Sequence, residues 1–314
     1  MIPNFFLAGA PKAGTTSLFH YLDRHPRVYL SPIKEPCYFA DEIRPENFSE
    51  EWQPRIRQDL RQLEQYLAGP MREKRFSGPV IEWDSYLKLF ANVRSETAIG
   101  EASVQYLWSE SAARNIAARI PGARILLLLR DPAERAFSQY LHGVTSGFVG
   151  VSFHEHVRNG LNPGGKFDVC HPFLELGRYA LQVRRYLAAF PREQVFIRLY
   201  EDYREQPLAT VREVLRFLDV DPDVPIGLPE RHNRPRVPRN LALGRFLKRT
   251  GIWSGAKKLI PSALLPLARS AAIRPRKELA MDPRDRAFLV DYYRDDIRDL
   301  AELLNRDLRA WLTV

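Results

Sequence analysis

Only two of the 314 residues are cysteine, Cys37 and Cys170, and no CxxC spacing links them. A disulfide framework is thereby excluded, and neither cysteine begins a metal-ligand motif; both read as small buried hydrophobes. Long apolar runs are missing as well, since nothing approaches the ~18 apolar residues of a membrane span. The opening stretch from Met1 to Ala10 lacks a basic n-region and runs straight into a glycine loop. It reads as a first strand rather than a signal peptide, and a soluble, cytoplasmic setting is the expectation. No internal repeat or low-complexity linker divides the chain, and 45% of it is hydrophobic. One domain over 1–314 is expected, with apolar mass enough for a single core.

Acidic residues are absent from one long segment. Arg231 to Lys277 holds 13 Arg or Lys and no Asp or Glu, and the chain's net +9 less those 13 leaves −4 for the remainder. A basic helical insertion at about 231–277 is expected to meet something anionic: a nucleotide phosphate, an acidic acceptor favoured by Arg234, Arg236 and Arg239, or the inner membrane surface as a peripheral contact. A solvated cationic face of a helical subdomain is the plainer reading. Nucleic acid is not expected, because the aromatics do not interleave with the cations as a stacking platform requires.

What is present is an alternation of strand and helix patterns. Phe5-Phe6-Leu7-Ala8 is a short apolar run, and Thr16 to Leu22 then repeats apolar residues at helical spacing up to Pro26. Val28-Tyr29-Leu30 is a brief extended segment, residues 45–90 read as polar and mostly helical, and 98–103 resembles another strand end. Ile125 to Leu129 is a run of five apolar residues, as in a parallel strand covered on both faces. Asp131 should cap the next helix, with Pro132 at its first position. Residues 148–171 read as a long loop, followed by a helix over about 176–189, a strand over 195–199, a helix over 208–218 and a final amphipathic helix in 282–311. The pattern predicts an α/β fold: a P-loop-like parallel sheet flanked by helices on both faces.

The first strand ends in Gly9-Ala10-Pro11-Lys12-Ala13-Gly14-Thr15-Thr16. A nucleoside-triphosphate loop reads G-x-x-x-x-G-K-[ST]. Gly9 and Gly14 keep the glycine spacing and Thr16 the hydroxyl, but Thr15 stands where the lysine belongs and Lys12 lies three residues earlier. Backbone N–H groups of such a loop cradle an anion in either case. The displaced lysine suits the bridging oxygen between a 5′-phosphate and its next group. PKAGTTSLFHYL resembles the 5′-phosphosulfate-binding motif of sulfotransferases that use 3′-phosphoadenosine 5′-phosphosulfate (PAPS), especially the bacterial and Golgi carbohydrate branch. That resemblance implies that Lys12, Ala13, Gly14, Thr15 and Thr16 bind the phosphosulfate, that 3′,5′-ADP (PAP) is the product, and that no metal takes part.

Arg130-Asp131-Pro132-Ala133-Glu134-Arg135-Ala136-Phe137-Ser138 follows the apolar strand and is similar to the family's 3′-phosphate motif, which assigns Arg130 and Ser138 to that phosphate. Tyr179 falls where the family starts a donor-contacting helix. Arg274 and Arg276 occupy the place of a basic loop over the nucleotide, although Pro275 replaces the usual glycine there. Lys34-Glu35-Pro36 resembles the stretch that supplies a glutamate base in heparan-sulfate-type enzymes, so Glu35 is the expected base, with Lys34 orienting it or binding sulfuryl oxygen. A Lys34–Glu35 ion pair is the plainer alternative. His20 and His142 are rival bases, and His142, Glu101 and Ser103 are candidate substrate contacts. The acceptor expected is a hydroxyl, or less readily an amine, of a glycan, glycolipid or small metabolite. Two other classes fit parts of the chain: a P-loop nucleotide kinase, and a non-catalytic binder of acidic lipid or polysaccharide.

Overall fold

A computed structural model of the chain describes residues 1–75, 78–161, 172–225 and 279–314, with positions 227, 237, 238, 240–242 and 245. Arg274, Arg276 and nearly all of the basic segment 231–277 lie outside the described residues. The chain groups into two compact units that interleave along the sequence: Met1–Arg130 with Arg178–Glu230, and Asp131–Gly177 with Arg231–Val314.

The first unit is built on five short strands, β1 (Phe5–Gly9), β2 (Val28–Leu30), β3 (Ala98–Ala102), β4 (Arg124–Leu129) and β5 (Val195–Leu199), in the order β2-β3-β1-β4-β5. Every pairing is parallel. Parallel strands covered on both faces need continuous apolar runs, and β1 is buried at all five positions while β4 is buried from Ile125 to Leu129. Each enclosed Phe or Leu here contributes roughly 1.5–3 kcal/mol. Helices flank the sheet. They are α1 (Thr15–Leu22), α2 (Gln53–Ala68), α3 (Trp83–Lys88) and α4 (Ala112–Arg119), then, after the chain returns from the second unit, helices later in the sequence. α1 packs on β1 and β2. This is the P-loop-like parallel sheet that the sequence predicts. Chain order changes direction at β1, with β3 on one side and β4 on the other, and that is where open α/β sheets bind ligands at their strands' carboxyl ends.

The second unit contains α5 (Pro132–Ser146) and α6 (Phe153–Gly160). Asp131 caps α5 as expected, accepting from the N–H groups of Ala133 at 2.9 Å and Glu134 at 3.2 Å, and its other oxygen takes Arg286 at 2.8 Å. α6 corrects the long-loop reading of 148–171. Ser152 caps it, and Phe153, His156, Val157 and Gly160 make one buried face at helical spacing. Flanking glycines and polar residues hid that short periodicity.

Continuing in chain order, α7 (Tyr179–Ala189), α8 (Tyr200–Glu205) and α9 (Pro207–Phe217) belong to the first unit, where α7 packs on α4, and α8 and α9 on β5. α10 (Pro283–Leu304) belongs to the second unit and packs on α5. Tyr293 of α10 donates to the Leu174 carbonyl at 2.8 Å. Among the described residues no helix is long and apolar enough to cross a membrane.

Candidate active site

β1 delivers the chain to the loop 10–14. Gly14 adopts φ 87°, and a Cβ there would stand 2.9 Å from the Tyr203 ring, so both backbone and space demand glycine. α1 begins at Thr15 with no side chain capping it and no acid in its first turn, which leaves its N-terminal N–H groups facing the loop side of the helix. Thr15 is buried and Thr16 half-buried. Lys12 sits at the loop's crown in the left-handed region, φ 65°. A non-glycine residue there costs about 1–2 kcal/mol, so neighbouring contacts must hold it.

One such contact comes from the carboxyl end of β4, where Arg130 donates to the Lys12 carbonyl at 3.1 Å. The Arg130 guanidinium lies 4.8 Å from the centre of the Tyr200 ring. Burial first, then the charges of Arg130 and Lys34, push the Lys12 ammonium down from 10.5 to about 8. Three cations from three separate loops therefore repel one another at the switch point of the sheet. A polyanion would turn that repulsion into attraction, and in this sense the residues fit a phosphosulfate donor.

Lys34 is almost fully enclosed and donates to Glu35 Oε1 at 2.5 Å. The other carboxylate oxygen accepts the Val104 N–H at 2.7 Å, and the Glu35 N–H donates to the Ala102 carbonyl at 2.7 Å. Glu35 is thus held at the carboxyl end of β3, one-fifth exposed. It too has a left-handed backbone, φ 67°, as does Cys37 at φ 52°. Burial, with Glu35 and Glu101 nearby, raises the Cys37 thiol well above its ordinary value, so Cys37 is no nucleophile.

The structure redistributes several expected site residues. Glu101 and Ser103 are fully buried rather than lining an acceptor groove. Glu101 Oε1 accepts from Tyr86 at 2.9 Å and Tyr106 at 2.7 Å, and its Oε2 accepts from Ser103 at 2.7 Å. They are internal because β3 ends there, between β1 and β2, and Tyr86 of α3 reaches Glu101. Tyr179 opens α7 with its side chain wholly enclosed. His142 is exposed on α5 one turn before Ser146, and Ser138 is half-buried two turns into that helix. His20 is half-buried on α1, edge-on to Phe19 with centroids 5.8 Å apart. The positions brought together are Lys12, Arg130, Lys34 and Glu35. Sequence reading missed Tyr86, Tyr106 and the Val104 N–H, whose only advance signal was their nearness in sequence to Trp83 and to Gly100-Glu101-Ala102-Ser103.

Comparison with known proteins agrees with this geometry. The family model described as Sulfotransferase family matches residues 3–224. The bifunctional heparan sulfate N-deacetylase/N-sulfotransferase 4 of Mus musculus is 28% identical over 321 residues, covering 99% of this chain and 31% of that protein. Carbohydrate sulfotransferase 15 of Homo sapiens is 27% identical over 268 residues, covering 70% of this chain and 44% of that one. The chain therefore spans less than half the length of these curated relatives. A sulfotransferase from Alicyclobacillus acidocaldarius, solved as a crystal structure, superposes with TM-score 0.71 at 29% identity over 100% of both chains. With a family model matched over residues 3–224, the chain belongs to the sulfotransferase family.

Proposed function

We propose that this protein moves the sulfuryl group of PAPS to a hydroxyl or amino group of a glycan, with Glu35 as base. The observation that carries the reading is the gathering of Arg130 and Lys34 about Lys12 at the carboxyl ends of the strands, with the Glu35 carboxylate held by Lys34 and the Val104 N–H.

The donor supplies an electrophilic sulfur bonded to a 5′-phosphate oxygen. Backbone N–H groups of the loop 10–16 and the hydroxyls of Thr15 and Thr16 bind the 5′ end. Arg130 and, by its motif, Ser138 take the 3′-phosphate. Glu35 accepts the acceptor's proton as its oxygen or nitrogen forms the new bond to sulfur. The sulfur–oxygen bond to phosphate breaks in line, and its electron pair stays on the phosphate oxygen, where Lys12 stabilises it. Lys34 holds the Glu35 carboxylate in place. The glycan class rests on the two curated relatives, which carry N-sulfotransferase and carbohydrate sulfotransferase in their names. The cation-rich segment 231–277 is assigned to an anionic surface, either the acceptor chain or a membrane leaflet in the cytoplasm. Co-sedimentation with anionic vesicles in the presence and absence of heparin separates those two.

Isotope transfer from sulfur-labelled PAPS to N-deacetylated heparan sulfate and to chondroitin tests the proposal. Labelled polysaccharide formed by the wild type and not by Glu35→Gln supports it. Mg²⁺-dependent ATP binding without 3′,5′-ADP binding would replace it with a kinase reading.

A further inference from the structure

The strongest feature outside the reacting groups is the buried carboxylate of Glu101. It is completely enclosed, and among the described residues its hydrogen-bond partners are the hydroxyls of Tyr86, Tyr106 and Ser103, with no cation bonded to it. Burial pushes this group up to about 7, and the hydroxyl bonds offset that only in part. A chain selected for stability alone has cheaper ways to fill such a space, because an apolar or amide side chain escapes the desolvation of a charge.

Two of the three hydroxyls do a second thing. Ser103 Oγ, while donating to Glu101, accepts the N–H of Cys37 at 3.0 Å. The Tyr106 hydroxyl, while donating to Glu101, accepts the N–H of Phe39 at 3.2 Å. Both N–H groups belong to the loop that begins with Glu35. Within that loop Glu35 and Cys37 hold left-handed backbone angles that neither residue type favours. Such a conformation persists only where its surroundings over-determine it. In its ionised form Glu101 has only acceptors, so Ser103 and Tyr106 then turn their hydrogens toward it and their lone pairs toward the loop.

We propose that Glu101 is a positioning residue for catalysis, anchoring the loop 35–39 through the Ser103 and Tyr106 hydroxyls and so setting the place of the Glu35 carboxylate. The inference rests on the reading of Glu35 as base, and its test separates the two.

The test has two arms on the full chain. In the first, hydrogen exchange is followed in the wild type, Glu101→Gln and the double variant Ser103→Ala/Tyr106→Phe, alongside calorimetric titration with 3′,5′-ADP. Gln keeps the volume but cannot accept from all three hydroxyls. Peptides covering 35–40 should exchange about tenfold faster or more in both variants, while the strands β1 and β4 and the affinity for 3′,5′-ADP stay within about twofold of wild type. Unchanged exchange in 35–40, or a rise spread equally over the sheet, overturns the proposal; the latter outcome means Glu101 serves the core as a whole.

The second arm measures kcat and KM for labelled transfer to N-deacetylated heparan sulfate. A displaced base should lower kcat by about 100-fold, the scale of a 1 Å misplacement, with KM for the donor unchanged. Adding Ser103→Ala/Tyr106→Phe to Glu101→Gln should cost little more, since all act through one chain of contacts. Full kcat in Glu101→Gln beside an inactive Glu35→Gln sinks the positioning role and spares the base. Full activity in Glu35→Gln sinks the base reading, and the exchange arm then still reports whether Glu101 holds the loop.

Discussion

The loop after β1 and the loop after β2 are both bent through left-handed residues, yet they are held by opposite means. The first, residues 10–14, is shaped by Gly14 and by the Arg130 guanidinium on the Lys12 carbonyl, and it gathers positive charge. The second, residues 31–39, is pinned from beneath by a buried carboxylate and two hydroxyls, and it presents a negative group. In the proposed function one loop receives an anion and the other a proton. Donor binding and proton removal should therefore fail separately.

The largest separation is expected from the two charged side chains themselves. Lys12→Ala removes the cation proposed to stabilise the leaving oxygen and should lower transfer about 1,000-fold. Glu35→Gln should lower kcat by about 100-fold or more while leaving 3′,5′-ADP affinity near the wild-type value, measured by titration calorimetry. A parallel loss of nucleotide affinity in Glu35→Gln would merge the two loops into one function.

Arg130→Ala probes the first loop twice, since it deletes the proposed 3′-phosphate ligand and the hydrogen bond to the Lys12 carbonyl. Charge-assisted bonds of this kind contribute about 1.5–3 kcal/mol, so 3′,5′-ADP should bind roughly 10- to 100-fold more weakly. Exchange rates in the second loop, residues 31–39, should not follow.

A pH titration sharpens the comparison further. Lys12 in the ligand-free fold holds its proton only up to about 8, against 10.5 in the unfolded chain. Between those values the unfolded chain binds more protons, so the stability of the empty fold rises with pH across that window. Anion affinity runs the other way. It should be highest below pH 8 and decline as Lys12 loses its charge, whereas Lys12→Ala should show a flatter profile.

The smallest effect is expected away from both loops. Asp131→Ala removes the cap of α5 and the partner of Arg286, and should lower the unfolding free energy by about 1–2 kcal/mol, read from thermal melting.

Sequence and structure divide along the same line. The donor loop was legible because glycine spacing and a displaced lysine are local facts, and β4 because a parallel interior strand needs an unbroken apolar run. The cap at Asp131 was equally local. The second loop was legible only at Glu35. Glu101, Ser103, Tyr86 and Tyr106 come from β3, α3 and the turn after β3, and nothing in their spacing says that they converge on the N–H groups of Cys37 and Phe39. Glu101 and Ser103, expected as acceptor contacts, are buried in the structure, and a polar residue at a strand end looks the same in sequence whether it faces the cleft or the core. The two compact units were illegible for a related reason. Arg130 and Asp131 join a strand to a capped helix with no linker between them, so no compositional break marks the change.

The most direct test of this division is one set of calorimetric titrations with 3′,5′-ADP in the absence of divalent cations, run on the wild type, Lys12→Ala and Glu35→Gln. Tight binding by the wild type and by Glu35→Gln, with about tenfold or greater weakening in Lys12→Ala, is the expected result. Equal weakening in both variants, or binding by the wild type only of ATP with Mg²⁺, would contradict it.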